Sequence, residues 1–438
     1  MILRPIARAI STLREQEQLL MISISTVLVM AGQGVISPVL PLFAKNLGVG
    51  AAVIGLTLSF FALARLILNV PLGVLSDRYG RRLLLVSGPL VTAAGMYGSG
   101  FAADIYQLLA WRFLAGAGSA MYMTGAQIYL ADISTPATRA RFIGTNQGAL
   151  LLGVAVGPAI GGVVAEFWGL RAPFVLVGTM ALVATVYAYL RLPETKHLQP
   201  PPPPKPVPVP GAKKERRDWV VFIMSKDFMA VSFITLAIFF TRTASRQTVI
   251  PLMAVDDLGF SEGSLGLLFT AVAALNTVLI APSAVIADKW GRKAAIVPSG
   301  IFVALSLVLI GVSTTTLIFV VGNLALGIAT AMAGPAPAAY AADISPPHLR
   351  GLGMGLYRSS GDIGFMVGPP LLGWIADSTS YDFALYVNAA LIGIAAVVFL
   401  TARETLERPS TPAEATAGAS PVPVASDRVP DREPSSGG

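Results

Sequence analysis

Twelve apolar stretches, each about 20 residues long, place the strongest limit on how this chain can fold. A stretch of that length crosses the hydrocarbon core of a bilayer as one α-helix, and a helix satisfies its own backbone hydrogen bonds there. The sequence therefore predicts an all-α membrane protein with twelve transmembrane helices. The stretches occupy residues 18–42, 53–76, 83–102, 105–131, 142–165, 172–192, 228–254, 262–286, 294–312, 316–342, 352–376 and 382–402.

Composition agrees with a membrane protein and argues against other classes. Hydrophobic residues make up 54% of the chain and charged residues 13%, far from the averages of soluble domains. The net charge of +7 comes from short basic runs between apolar stretches, so we expect no nucleic-acid partner. Cysteine is absent, and the two histidines, His197 and His348, lie in different loops. We therefore expect no metal site and no cofactor.

Six of the stretches lie on each side of a linker that contains the segment "QPPPPPKPVPVPG". We expect a terminal segment at 1–17, six-helix bundles at 18–192 and 228–402, a Pro-rich basic linker at 193–227, and a disordered tail at 403–438. Nearly all basic loop residues fall on the linker side, and the opposite loops hold only Lys45 and Arg171. The positive-inside rule then predicts a multi-pass protein of the cell membrane with both termini in the cytoplasm.

The two halves are repeats of each other at a constant offset of 211 residues. At this offset Asp77 meets Asp288 and Gly116 meets Gly327, and the segment "ADIS" recurs at residues 131–134 and 342–345. A parallel repeat of six helices is typical of transporters that bind their solute between the halves, near the middle of the membrane. We expect two pseudo-symmetric bundles with a central site.

The segment "GVLSDRYGRR" at residues 73–82 ends the second stretch, and "AVIADKWGRK" at 284–293 repeats it with Ala284 in place of the first glycine. It resembles the loop signature G-x-L-a-D-r-x-G-r-r of the major facilitator superfamily. We interpret the two copies as a latch that closes the cytoplasmic side. A role limited to setting topology is the alternative. The latch residues are Gly73, Asp77, Arg78, Gly80, Arg81, Arg82, Asp288, Lys289, Gly291 and Arg292.

Three further segments resemble the twelve-helix drug:proton antiporters of the same superfamily. The segments "GQGVISPVLP" at 32–41 and "RFLAGAG" at 112–118 are similar to motifs of their first and fourth helices. The fifth stretch follows the pattern g-x8-G-x3-G-P-x2-G-G of their antiporter motif. The resemblance covers residues 18–402 and implies the major facilitator fold. The motif residues are Gly144, Gly153, Gly157, Pro158, Gly161 and Gly162.

Six charged residues interrupt the apolar stretches at positions where the two repeats differ. A charge inside a membrane helix costs roughly 2.5–3.5 kcal/mol on insertion scales and almost always faces the bundle interior or a water-filled cavity. We predict a substrate cavity lined by Gln33, Arg65, Arg112, Arg242, Arg246, Asn276 and Arg358. We predict proton coupling at Arg112, Arg358 and Asp362.

Several of these residues also have a structural alternative, which for Arg65 is pairing with the backbone carbonyls of a neighbouring helix. Arg358 and Asp362 stand four residues apart and could form an internal ion pair. Arg246 is close enough to a helix end for its side chain to reach the interface. Asparagine and glutamine in membrane helices often join neighbouring helices by hydrogen bonds.

The charges favour an anionic or zwitterionic solute, since five arginines stand against one carboxylate. The resemblance implies an acidic residue in the first helices of cation exporters, and Gln33 stands there instead. We expect a monomer that exports a small organic solute in exchange for protons, with the lipid bilayer as its other partner. The alternatives are an organic-anion uniporter or proton symporter, and a receptor or scaffold that transports nothing. We expect no enzyme, because neither a catalytic set nor a P-loop is found.

Overall fold

The computed structural model describes residues 3–135, 138–198, 218–346 and 349–406. Within this part all regular structure is helical, and ten helices are long and apolar enough to cross a membrane. Two more helices of 29 residues, Ile105–Ile133 and Arg350–Ser378, contain the charges Arg112, Arg358 and Asp362, which lower their hydropathy. Most of the predicted linker and tail, at 199–217 and 407–438, lies outside the described residues, as does His348.

The described helices build twelve spans, which confirms the predicted all-α fold of two six-helix bundles. The first bundle contains α1 (Leu3–Ile36), α2 (Val39–Lys45), α3 (Ala51–Tyr79), α4 (Arg81–Gly100), α5 (Ile105–Ile133), α6 (Arg139–Trp168) and α7 (Ala172–Arg191). After a short 3₁₀ turn (Lys196–Leu198) and α8 (Asp218–Ile223), the second contains α9 (Lys226–Phe240), a π segment (Thr241–Val249), α10 (Ile250–Asp256), α11 (Glu262–Trp290), α12 (Arg292–Gly311), α13 (Thr316–Ala333), α14 (Ala336–Ile344), α15 (Arg350–Ser378) and α16 (Tyr381–Leu400).

The helix bounds confirm the internal repeat. The helices α3 and α4 begin and end 211 residues before α11 and α12, and α2 stands in the same relation to α10. The single helix α5 corresponds to the pair α13 and α14 at this offset. The offset found in the amino-acid sequence is therefore also the offset between equivalent helices.

Three spans are broken within their length, and local chemistry explains each break. Pro38 and Pro335 lack a backbone N–H and stand where α1 gives way to α2 and α13 to α14. In the last of the three, the span Lys226–Asp256, the α-helix becomes a nine-residue π segment just ahead of Pro251. Inside it the Thr248 hydroxyl donates to the carbonyl of Thr243. Interruptions of this kind are found in membrane helices where the chain lines a cavity.

The two bundles meet on the side opposite the linker, which we call the far side. There α3 crosses α15 and α6 crosses α11 so closely that a Cβ at Gly55 would collide with the backbone of Pro369, and one at Gly162 with that of Glu262. Only glycine allows this approach. Four glycines on the linker side have open space beside them: apart from the backbone of their own helix, no atom lies within 4 Å of the place that a Cβ would occupy. They are Gly73, Gly144, Gly148 and Gly355. The described part of the chain is closed on the far side and open on the linker side.

Candidate functional site

A cavity of about 400 Å³ lies between the bundles, at the level of the three broken spans. Of the predicted solute-binding residues, its lining contains Gln33, Arg112, Arg242, Arg246 and Asn276. Arg65 and Arg358 lie outside that lining. No aspartate, glutamate or lysine belongs to the lining that the structure describes. The wall is therefore cationic wherever it is charged, and otherwise neutral polar or apolar.

Arg112 on α5 is almost completely buried, with 4% of its surface exposed. Its guanidinium carbon lies 4.8 Å from the centre of the Phe61 ring, and its Nε and Nη1 have no hydrogen-bond partner among the described residues. Gly116 on the next turn of α5 packs against the Phe61 backbone and brings the two helices together. This cation–π contact offsets part of the free-energy cost of burying Arg112, and its Nε and Nη1 remain without acceptors in the described chain.

Arg242 and Arg246 project from the π segment, where neither makes a hydrogen bond or an ion pair within the described chain. Asn388 on α16 holds the segment in place. Its amide nitrogen donates to Ser245 at 2.6 Å, and its amide oxygen accepts from Thr241 at 3.2 Å. These two hydrogen bonds hold the π segment in place, and neither of them uses the side chain of Arg242 or Arg246. Asn388 was missed from the sequence, although a fully buried polar residue in an apolar span was a usable signal.

Arg65 and Asp362 lie on facing helices, α3 and α15, on the linker side of the cavity. The Ser59 hydroxyl donates to the carbonyl of Met366 between the same helices, about one turn towards the far side. Asp362 is influenced electrostatically by both Arg65 and Arg358, and the influence of Arg65 is the larger. No ion pair within 4 Å joins these side chains in the described chain, so the Arg358–Asp362 pair considered above is not formed in this conformation.

Asn276 on α11 combines both roles expected of a polar residue in a membrane helix. It lines the cavity, and its amide nitrogen donates to the carbonyl of Gly327 at 3.3 Å and to the Thr330 hydroxyl at 3.0 Å. It therefore joins α11 to α13 and leaves its amide oxygen available.

On the linker side, the first copy of the repeated loop motif forms a network within its own bundle. Arg81 is fully buried and pairs with Asp132 at 2.7 Å and with Asp77 at 3.3 Å. The Asp77 side chain is 66% exposed. Gly80 lies between α3 and α4 with φ at +97°, a conformation that favours glycine.

The second copy repeats this arrangement. Arg292 pairs with Asp288 and, at 3.4 Å, with Asp343. Glu404 accepts hydrogen bonds from the backbone N–H groups of Arg292 and Lys293 at 2.9 and 3.0 Å. Among the described contacts, neither copy of the motif touches the opposite bundle.

Glu194 is a further residue that sequence analysis missed, since it falls in the predicted linker. Its carboxylate accepts from four backbone N–H groups, those of Arg81, Arg82, Thr195 and Lys196, at 2.8–3.1 Å. Burial alone would raise the pKa of Glu194, but these donors hold it below its ordinary value. The carboxylate thereby anchors the end of the first bundle to the start of α4.

The glycines of the fifth-stretch motif serve two interfaces. Gly153, Gly157 and Gly161 face the backbone of α1, whereas Gly162 faces α11 of the other bundle. Pro158 lines the cavity. Gly144 has open space beside it on the linker side. The motif therefore follows α6 from the packed bundle to the surface where the bundles meet.

Polar contacts that the sequence did not reveal join the bundles on the far side. The Asp377 carboxylate at the end of α15 accepts the backbone N–H groups of Ala51 and Ala52 at 2.7 and 2.9 Å, at the start of α3. Lys45 forms an ion pair with Asp256, which also accepts from the Tyr381 hydroxyl at 2.7 Å. We call these contacts the far-side seal.

The seal obeys the internal repeat. Lys45 and Asp256 occupy equivalent positions, 211 residues apart. At the same offset Asp377 corresponds to Glu166, whose carboxylate lies against Gly263 in the first turn of α11. An acidic residue from each bundle thus lies at the N-terminus of a helix in the other, where a helix dipole favours negative charge.

Two helical bundles around a central cavity that opens on one side only define the class of membrane transporters that work by alternating access. A family model described as Major Facilitator Superfamily matches residues 22–253 and 235–432. The chain therefore belongs to the Major Facilitator Superfamily, and its relatives are transporters.

Individual relatives agree with this assignment. An uncharacterized MFS-type transporter of Methanocaldococcus jannaschii is 26% identical, over 86% of this chain and 97% of its own length. Multidrug resistance protein 1 of Bacillus subtilis is 24% identical, over 84% of this chain and 92% of its own length. The predicted resemblance to drug:proton antiporters is confirmed at this level.

A solved structure supports the fold. A bacterial homolog of the human lysosomal transporter Spinster, in an inward-facing and occupied conformation, superimposes with a TM-score of 0.73 at 16% identity. The match covers 87% of this chain and 95% of that one.

Proposed function

We propose that the chain is a secondary transporter that exports a small organic anion in exchange for protons. The observation that carries this proposal is the central cavity, closed on the far side, with three arginines and no acidic residue in its described lining. Efflux is supported by the similarity to the multidrug resistance protein of B. subtilis. Zwitterionic solutes are less well suited, because their cationic group would find no carboxylate on the described wall.

The linker side faces the cytoplasm in this proposal. The far-side loops hold only Lys45 and Arg171 as basic residues, and membrane proteins keep lysine and arginine in their cytoplasmic loops. The described conformation is then the one that loads solute from the cell. Export requires the far-side seal to open and the linker side to close.

Closure of the linker side is assigned to the repeated loop motif. Asp77 is exposed and paired only within its own bundle in the open conformation. When the bundles rock together, its carboxylate becomes available to the facing helix ends of the second bundle. The motif thus supplies contacts that exist in one conformation only, which is the requirement for biasing a two-state equilibrium.

Proton coupling is assigned to Asp362, which is influenced electrostatically by Arg65 on α3 and by Arg358 on its own helix. These two arginines favour the charged carboxylate, whereas low polarity around it disfavours that form, so a small movement of α3 against α15 changes its proton affinity. In the exchange cycle, Asp362 takes up a proton while the far side is open. It releases the proton when the linker side opens.

The test is flux in proteoliposomes that contain the purified protein. An outside-acidic pH gradient should drive an organic anion such as benzoate against its concentration gradient, in the direction from linker side to far side. Flux that does not respond to the pH gradient would indicate a uniporter. Flux in the same direction as the protons would establish symport and overturn export.

A further inference from the structure

The cationic groups around the cavity form two separate poles. Arg242 and Arg246 lie on the same π segment of the second bundle and both line the cavity, so they make one positive region. Arg112 lines the same cavity from α5 in the first bundle, where its guanidinium lies against the Phe61 ring. One pole therefore belongs to α5 in the first bundle and the other is centred on the π segment of the second.

The wall around these poles is apolar and rich in aromatic rings. Phe61, Phe239, Phe269 and Phe365 all line the cavity, and they come from both bundles. A flat or elongated apolar body packs against such rings, and charged groups at its ends would reach the poles.

When the linker side closes, the arginines of the cavity need negative counter-charges. Arg242 is exposed on the wall of the open cavity in the described conformation, so water has access to it. Occlusion removes that water, and an uncompensated charge in a low-polarity interior is costly. A solute with one anionic group reaches one pole and leaves the other without a counter-charge.

We propose that the natural solute is a dianion whose two anionic groups stand at opposite ends of an apolar or aromatic spacer, one at Arg112 and the other at Arg242 and Arg246. This inference rests on the proposed function, since it names the class of organic anion that the same cavity carries. Such a solute touches both bundles at once. Its binding therefore stabilises the conformation in which the bundles close around it.

The decisive experiment compares probes of matched size that differ in charge. Binding of terephthalate and of its monomethyl ester to the purified protein is measured by titration calorimetry, and the pair adipate and monomethyl adipate repeats the comparison without a ring. Terephthalate should bind at least about tenfold more tightly than its monoester, the effect of one charge-assisted hydrogen bond in a confined site.

Phenyl phosphate separates two poles from total charge. It can carry two negative charges on a single group, so it reaches only one pole. We expect it to bind closer to the monoester than to terephthalate. Affinity equal to that of terephthalate would show that total charge, rather than two poles, is what the cavity recognises.

Variants locate the two poles. Arg242→Gln should reduce the preference for terephthalate over its monoester to about twofold or less, and Arg112→Gln should do the same from the other end. Arg171→Gln, on a far-side loop, is the matched control and should leave the preference unchanged. Melting temperatures of all variants report whether the fold is intact. If a variant does not fold, the probe comparison on the unaltered chain still decides.

The outcomes separate this inference from the proposed function. Equal affinity for terephthalate and its monoester, or no binding by either dicarboxylate, overturns the dianion. Binding of anions without a preference for two groups leaves anion export intact. Binding restricted to neutral or cationic compounds overturns both.

Discussion

Replacing Asp377 by Asn should shift the transporter from the far-side-closed towards the far-side-open conformation. The Asp377 carboxylate accepts two backbone N–H groups at 2.7 and 2.9 Å, across the boundary between the bundles. Those contacts require the far side to be closed. Asn keeps one acceptor oxygen and loses the negative charge that the N-terminus of α3 favours.

The expected size of the shift follows from this geometry. A carboxylate at an exposed helix N-terminus contributes about 0.3–1 kcal/mol, and one charge-assisted hydrogen bond adds a similar amount or more. Because the Asp377 side chain is exposed, we take about 1.4 kcal/mol in total, which is a tenfold change in the ratio of conformations. A far side that is closed in about 99% of molecules would then be closed in about 90%.

Pulsed electron–electron resonance between paired spin labels measures this ratio without a solute. The chain contains no cysteine, so two introduced cysteines are the only labelling sites. Tyr106→Cys with Leu317→Cys reports the far side, because these residues begin equivalent helices and are 80% and 72% exposed. Asp377→Asn should add a longer distance for this pair.

Asp104→Asn is the matched control. Asp104 also caps a far-side helix, accepting from the Gln107 N–H at 2.9 Å, but within one bundle. It should lower the melting temperature without lengthening the label distance. An unchanged distribution in Asp377→Asn, or the same change in Asp104→Asn, would refute the argument that the cross-bundle cap holds the far side closed.

Three further predictions follow from the other sites. Asp77→Asn should abolish most flux in proteoliposomes while leaving membrane insertion intact, since it removes a contact of the linker-side-closed conformation; wild-type flux would reduce the motif to a topology signal. Asp362→Asn should retain solute binding and counterflow but lose uptake driven by a pH gradient, and accumulation against the solute gradient would contradict its role. Glu194→Gln should destabilise the first bundle by about 2 kcal/mol at neutral pH. Because the pKa of Glu194 is lowered by folding, its contribution is present above the unfolded value of 4.5 and is lost as pH falls below it, so melting temperatures of variant and unaltered chain should converge in acid.

The spans and the repeat could be predicted because they depend on local hydropathy and on a fixed offset. The helix α3 and its equivalent α11 were both evident as apolar stretches, and their bounds confirm the register. The breaks were not predicted, because Pro38 and Pro335 lie within stretches that remain apolar throughout. Hydropathy reports length and burial, and it does not report a change from α to π geometry.

The far-side seal could not be predicted for a different reason. Asp377 and Ala51 are 326 residues apart, and nothing in either segment indicates its partner. The repeat identifies equivalent residues, but it does not say which of them meet. The intramembrane charges were evident from the sequence, whereas their separation into two poles depends on how α5 and the π segment face each other.

The ion pair between Lys45 and Asp256 has a consequence for the history of the chain. The two residues occupy the same position in the two repeats, so in an ancestral pair of identical halves each would have faced its own copy. Two lysines, or two aspartates, would have repelled each other at that point. Opposite charges became possible only once the halves could mutate separately. Fusion into one gene keeps each half with its complement, whereas two copies of the first half would bring two lysines together at this point.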